Sequence, residues 1–290
     1  MNSIISTNVG GLANRMKSLA SVIRYGKLFN NNYQVYWQTI NSYEKHFHLL
    51  NCSFEKLFSN NVEVASIKGF DSGEIIRTNL DDGQKTYNSH NLMIAGGDDN
   101  KSIDFQYNNI PENIKQEYIE SFRVITPITE LQEKIDIFSS DNFDPHTVSV
   151  HIRSWGRVNE QSRQNFVVRA NAFIKKMFGI TNSRSVGLFY AKKFEKKMAQ
   201  YPQKTTFFLS TDTQVVKDYF TQQSPLKNRV IVYCRTTDLD TSRDFPEGVQ
   251  EDLVELYLLS KNKSFLLSDN STFSEVAWWL SGCPDDVTIL

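Results

Sequence analysis

The sequence predicts an α/β protein built from two doubly wound parallel sheets that face a cleft. Three observations carry that expectation. Short β-branched runs alternate with segments of helical spacing along the chain, the pattern of parallel strands joined by helices. The alternation breaks at "DNFDP" (141–145) and then resumes, which divides the chain into residues 1–144 and 145–290. Strand-like runs end in glycine, cationic or hydroxyl residues just before helices, where ligands bind in such sheets.

The elements follow in order. "SIIST" (3–7) reads as a strand, "NVGG" (8–11) as a glycine turn and 12–31 as a helix, with Leu12, Met16, Leu19, Val22 and Ile23 on one stripe. "YQVYWQ" (33–38) is the next strand, so the chain opens as a βαβ unit. Helices are expected over 53–60 and 110–122, and a polar loop over 81–91. The second half predicts strands at 147–153, 205–211, 229–234 and 264–269. Helices are expected at roughly 166–200, and at 213–223, 248–262 and 271–282. Trp278 and Trp279 are expected to face the core on one side and the other half on the other.

Composition excludes several classes. Of 290 residues, 40% are hydrophobic and 22% charged, as in an ordinary soluble globular protein. A net charge of −1 argues against a nucleic-acid partner. Cys52, Cys234 and Cys283 are odd in number and form no CxxC, so neither a disulfide framework nor a zinc knuckle is expected. No run approaches the length of a transmembrane segment and the start lacks a signal-peptide pattern, so the expected location is cytoplasmic.

Three stretches could carry chemistry. "VSVHIRSWGR" (148–157) puts His151 and Arg153 two positions apart, hence on one face at the mouth of a strand. Arg153 keeps its charge and can hold a diphosphate through paired donors, with His151 beside it. A buried histidine next to a surface arginine is the plainer reading. Glu160 follows within reach as a candidate general base, ahead of Asp104. In "GGLANR", Gly10 and Gly11 let the backbone approach a ligand at a helix N-terminus, and Asn14 and Arg15 add hydrogen-bonding reach. A tight turn alone explains the same glycines. In "SDNSTFSEVAWWL", Ser271 and Thr272 cap a helix, with Glu275 placed as in a capping box, and the helix-start amides can also bind an anion. Asp238 and Asp240 have the DxD spacing of metal-dependent glycosyltransferases and stand as an alternative. "HFH" (46–48) with Cys52 reads as coincidence, so no metal site is assigned.

Together, "GGLANRM", "VHIRSWGR", "FLSTD" and "SDNSTFSEVAWWL" resemble the GDP-fucose-dependent fucosyltransferases of the α1,2, α1,6 and protein O-fucosyl group. The resemblance implies the GT-B arrangement of two Rossmann-like domains, with the donor on 145–290 and the acceptor side on 1–144. It implies inverting, metal-independent transfer that needs no cofactor, the sugar nucleotide being a substrate and a glycan hydroxyl the acceptor. L-fucose from GDP-fucose is the first expectation. Another GDP- or UDP-sugar such as xylose, or a non-catalytic sugar-nucleotide binder, are the alternatives. His151 and Arg153 fall on the family's His-x-Arg, whose arginine binds the diphosphate, and Ser271, Thr272 and Phe273 on the segment that touches the same phosphates. Glu255, with Asp252 one turn earlier, takes the place of the carboxylate that reads guanine. Asp212 matches a residue of the nucleotide pocket, and Gly10, Gly11, Asn14 and Arg15 match the loop facing the cleft. The chain departs from the family at Ser154 and Gly156, where an arginine and an aspartate are usual. It departs again at Glu255, where aspartate is usual, and at Glu160, which is one place out of register.

Overall fold

Two parallel sheets organise the chain in the computed structural model, which describes residues 3–6, 10–30, 32–37, 39, 50–59, 61–64, 84–87, 93–94, 102–103, 110–154 and 183–290. The first sheet has the order β3-β2-β1-β4, from β1 (Ser3–Ser6), β2 (Asn32–Val35), β3 (Glu63–Val64) and β4 (Gln84–Tyr87). All its pairings are parallel. Helix α1 (Leu12–Leu28) makes the β1-to-β2 crossover, and its predicted stripe of Leu12, Met16, Leu19, Val22 and Ile23 is buried.

Two expectations for this half are corrected. The stretch read as a polar loop, 81–91, contains β4, which pairs with β1 through Ser3↔Gln84 to Ser6↔Tyr87. "QKTY" has no apolar alternation, so backbone pairing at the open side of β1 decides its state. The helix expected over 53–60 is only a 3-10 turn, Phe54–Lys56. Phe54 and Phe58 pack edge-on against Trp37 at 5.5 and 5.8 Å, and the next residue is drawn out of helix by the Ser59 N–H to Thr126 O bond of 2.9 Å. A short antiparallel pair, β5 (Met93–Ile94) with β6 (Ser102–Ile103), completes the described strands of this half.

The second sheet has the order β11-β10-β7-β8-β9 and is also parallel. Its strands are β7 (Thr147–Ile152), β8 (Thr206–Thr211), β9 (Val230–Val232), β10 (Ser264–Leu267) and β11 (Val287–Ile289). Every residue of β7 is buried, as a central strand covered on both faces requires. Helix α2 (Glu112–Val124) was expected, whereas α3 (Thr129–Asn142) had no counterpart in the sequence reading. The C-terminal helices are α4 (Ser183–Met198), α5 (Gln214–Asp218), α6 (Pro246–Ser260) and α7 (Thr272–Leu280). α5 runs directly into a π turn, Tyr219–Gln223, so the single helix expected at 213–223 changes its hydrogen-bond period halfway.

The halves meet through helices. One hydrophobic cluster includes Met16 and Leu19 of α1, Tyr118 and Phe122 of α2, and Val276 and Trp279 of α7. Trp279 lies 5.7 Å from Tyr118 and stacks on Phe122 at 6.2 Å, which places it as the sequence suggested. α3 precedes the 144/145 division yet packs on α6, with Lys261 2.7 Å from Asp136, and Phe138 lies against Phe208 of β8. Among the described residues, no helix is long and apolar enough to cross a membrane.

Candidate functional site

The second sheet reverses its winding at β7. From β7 the chain moves through β8 to β9 on one side, then returns to place β10 and β11 on the other. The segments leaving β7 and β10 therefore diverge at their carboxyl ends, and this is where open parallel sheets bind ligands. His151 and Arg153 leave β7 there, and Ser271, Thr272 and Phe273 open α7 just beyond β10.

One backbone bond and several side chains continue the strand contacts past the last paired residues. The Ser268 N–H donates to His151 O at 3.0 Å, and the Arg153 N–H donates to Ser268 Oγ at 2.9 Å. From the β8 side, Thr211 Oγ1 donates to Ile152 O at 2.9 Å. Asp212 Oδ1 accepts from the Ser154 N–H at 2.8 Å and from Ser154 Oγ at 3.1 Å. Arg153 itself is half-buried at this strand mouth.

His151 is buried beneath the start of α7. Its Nδ1 lies 2.7 Å from Ser274 Oγ and 3.5 Å from Ser271 Oγ, and its ring is 4.9 Å from that of Phe273. Ser271 is the N-cap, its Oγ accepting from the Ser274 N–H at 3.4 Å. Asn270 makes the approach possible with φ of 48°, a left-handed conformation that asparagine tolerates. The helix is capped by Ser271 and not by Thr272, so Glu275 stands four residues beyond the cap and misses the capping-box position expected of it. Its carboxylate accepts from Lys17 Nζ at 2.6 Å and from Trp279 Nε1 at 3.3 Å.

Asp252 and Glu255 come together on α6 around an arginine that the sequence reading missed. Arg235 Nη1 lies 2.8 Å from Asp252 and 3.3 Å from Glu255, and Nε lies 3.5 Å from Glu251. Burial works against the Arg235 charge, but Glu255 and Asp252 outweigh it and hold the guanidinium above its ordinary range. Glu255 is buried, which raises its carboxyl against the pull of Arg235, and it also accepts from Ser210 Oγ at 2.6 Å. Burial alone would raise Glu251 too, yet it accepts from the Thr236 N–H at 2.6 Å, the Thr237 N–H at 3.1 Å and both hydroxyls. The net effect holds it below its ordinary range. A signal was present: three carboxylates within five positions of a largely buried helix, "EDLVE", require a nearby cation.

Gly10 and Gly11 lead into α1, whose first turn carries Asn14 and Arg15. Arg15 is 1% exposed and folds under the loop, donating from Nε to Gly10 O at 2.7 Å with its guanidinium 4.7 Å above the Trp37 ring. Burial lowers that guanidinium to about 10. Asn14 Oδ1 is buried without a hydrogen-bond partner among the described residues. Gly11 has φ of −62°, and a Cβ there would meet nothing within 4 Å, so neither strain nor packing among the described residues demands glycine.

Glu160, Asp104, Arg157 and Gly156 lie outside the described residues, as do His46 and His48. Asp238 and Asp240 sit at the start of a 3-10 turn, Leu239–Asp244, with Asp238 exposed. Among the described residues, no group of three or more His, Cys, Asp or Glu is placed to hold a metal ion.

No family model and no curated protein matches the chain. Solved structures do. The NodZ alpha-1,6-fucosyltransferase co-crystallized with GDP, a Bradyrhizobium protein, is similar with a TM-score of 0.58 and 16% identity, over 95% of this chain and 91% of that one. POFUT1 in complex with GDP-fucose is similar with a TM-score of 0.52 and 11% identity, over 100% and 98%. A variant of Arabidopsis thaliana FUT1 in complex with GDP is similar with a TM-score of 0.52 and 10% identity, over 99% and 70%. The chain thus has the α/β fold, with parallel sheets, of the GDP-fucose fucosyltransferases NodZ, FUT1 and POFUT1.

Proposed function

We propose that this chain is an inverting glycosyltransferase of the GT-B arrangement that moves L-fucose from GDP-fucose onto a glycan hydroxyl. The observation that carries the reading is that Arg153 leaves β7 at the winding reversal of the second sheet, its N–H bonded to Ser268, three residues before the Ser271 cap of α7. Similar folds hold GDP in NodZ and GDP-fucose in POFUT1, which supports the same donor here.

Each residue then has a task. The acceptor oxygen attacks the anomeric carbon as its bond to the diphosphate breaks, and the electron pair departs with GDP. Arg153 and the hydroxyls and amides of Ser271 and Thr272 stabilise the charge that develops on the departing diphosphate. His151, bonded to Ser274, holds the first turn of α7 in place, with Phe273 over its ring. Asp252, the more exposed of the two α6 carboxylates, faces the nucleoside, with Glu255 and Arg235 buried behind it. Glu160 accepts the proton of the acceptor hydroxyl. Gly10 and Gly11 let the loop of the acceptor-side half, residues 1–144, approach the sugar across a cleft. No step uses a metal, and we place the enzyme in the cytoplasm with its sugar nucleotide.

The test is release of nucleotide from a panel of GDP- and UDP-sugars, with and without EDTA. The reading predicts GDP from GDP-fucose, indifferent to EDTA. Release from a UDP-sugar alone discards the donor, loss in EDTA turns attention to Asp238 and Asp240, and binding without turnover leaves a sugar-nucleotide binder.

A further inference from the structure

We propose that Asp212 and Ser268 are positioning residues for Arg153, acting as hydrogen-bond acceptors for its main chain and not as charge presented to the ligand. The inference rests on the reading of Arg153 as the diphosphate ligand. It differs from the sequence-based expectation that Asp212 lines the nucleotide pocket.

The argument starts from where the strands stop. β7 ends at Ile152, while its neighbours end at Leu267 on one side and Thr211 on the other. Backbone pairing is therefore exhausted just before Arg153, and the N–H groups of Arg153 and Ser154 have no strand opposite them. A buried amide without an acceptor is costly, and Ser154 is buried. Two side chains, one from each neighbouring strand's exit, fill the gap. Ser268 Oγ accepts from Arg153 N, and Asp212 Oδ1 accepts from Ser154 N.

Both acceptors are themselves fixed. Ser268 is fully buried and its own N–H is bonded to His151 O at 3.0 Å. Asp212 Oδ1 also takes the Ser154 hydroxyl, which lies 2.8 Å from Thr213 Oγ1. The peptide on either side of the Arg153 Cα is thus strapped to β10 on one side and β8 on the other. The Cα sets where a long guanidinium can reach, and a displacement near 1 Å at a reacting site costs about a hundredfold in rate. Both bonds to Ser154 end on a single carboxylate oxygen, Oδ1, and an asparagine side chain also supplies an oxygen at that place.

Amide hydrogen exchange at residues 153 and 154, GDP affinity and turnover of GDP-fucose would be measured for the unchanged protein, Asp212→Ala, Asp212→Asn and Ser268→Ala. Asp212→Ala should speed exchange at Ser154, and Ser268→Ala at Arg153. Both should lose about tenfold to a hundredfold in kcat/KM while remaining folded. Asp212→Asn should stay within about threefold of the unchanged protein in every readout. A fall with asparagine as deep as with alanine would overturn the inference, since the charge would then be what matters. Faster exchange with unaltered GDP affinity and turnover would overturn it as well. If the unchanged protein protects both amides yet binds no GDP, the reading of the site fails and the positioning role falls with it.

Discussion

Lys17 Nζ lies 2.6 Å from the Glu275 carboxylate, and both side chains are buried. The bond joins α1, which follows the glycine loop, to α7, whose first turn carries Ser271 and Thr272. Two ends of the proposed site, one from each half, therefore sit on helices tied by a buried ion pair. Removing one partner strands the other charge in the core, which costs about 3–5 kcal/mol. Glu275→Gln or Lys17→Met should each lower the unfolding free energy in urea by that amount. The double variant Lys17→Met/Glu275→Gln should recover most of the loss. Simple additivity of the two single losses would show that the pair is not coupled.

Gly248 opens α6 where the backbone of the 3-10 turn Leu239–Asp244 crosses it. A Cβ at this position would fall 2.1 Å from Ser242 O and 2.6 Å from Ser242 Cα. Backbone cannot give way as a flexible side chain does, so Gly248→Ala should destabilise by about 1–3 kcal/mol. The Gly248 carbonyl also accepts from Arg235 Nη2 at 3.1 Å, so the strain reaches the carboxylate cluster. A thermal melt of this variant, with a GDP titration alongside, checks both effects.

Glu251 makes stability sensitive to acid. Its folded-state carboxyl lies below the ordinary value of 4.5, because the hydrogen bonds from Thr236 and Thr237 outweigh its burial. A lowered folded value means that the stabilisation is complete above 4.5 and is lost as pH falls through the folded value. Urea unfolding of the unchanged protein and of Glu251→Gln between about pH 6 and pH 3 should show a stability gap that closes in acid. A constant gap would assign the lost stability to something other than this ionisation.

Local pattern made part of this structure legible. The stripe of α1, the fully buried run "TVSVHI" of β7 and the Ser271 cap each follow from rules spanning a few residues. What stayed hidden depends on partners distant in sequence. β4 is polar and becomes a strand because β1 has an open side. α3 buries only Leu131 and Ile135 fully, too thin a stripe to mark a helix whose packing comes from α6. Glu275 fits a capping box counted from Thr272, yet the cap is Ser271 and the Glu275 carboxylate is bonded to Lys17 of α1, and Arg235 meets its carboxylates only when the end of β9 reaches α6. Asp212 was legible as important by resemblance, but that its Oδ1 holds the Ser154 amide is visible only in three dimensions.

The central claim is that a nucleoside diphosphate binds where β7 and β10 part, with Arg153 as its cationic ligand. Calorimetric titration of GDP into the unchanged protein and into Arg153→Ala tests it most directly, with circular dichroism confirming that both are folded. The account predicts that GDP binds the unchanged protein and that the substitution weakens binding about a hundredfold, near 3 kcal/mol. Equal affinity in the two folded proteins would contradict it.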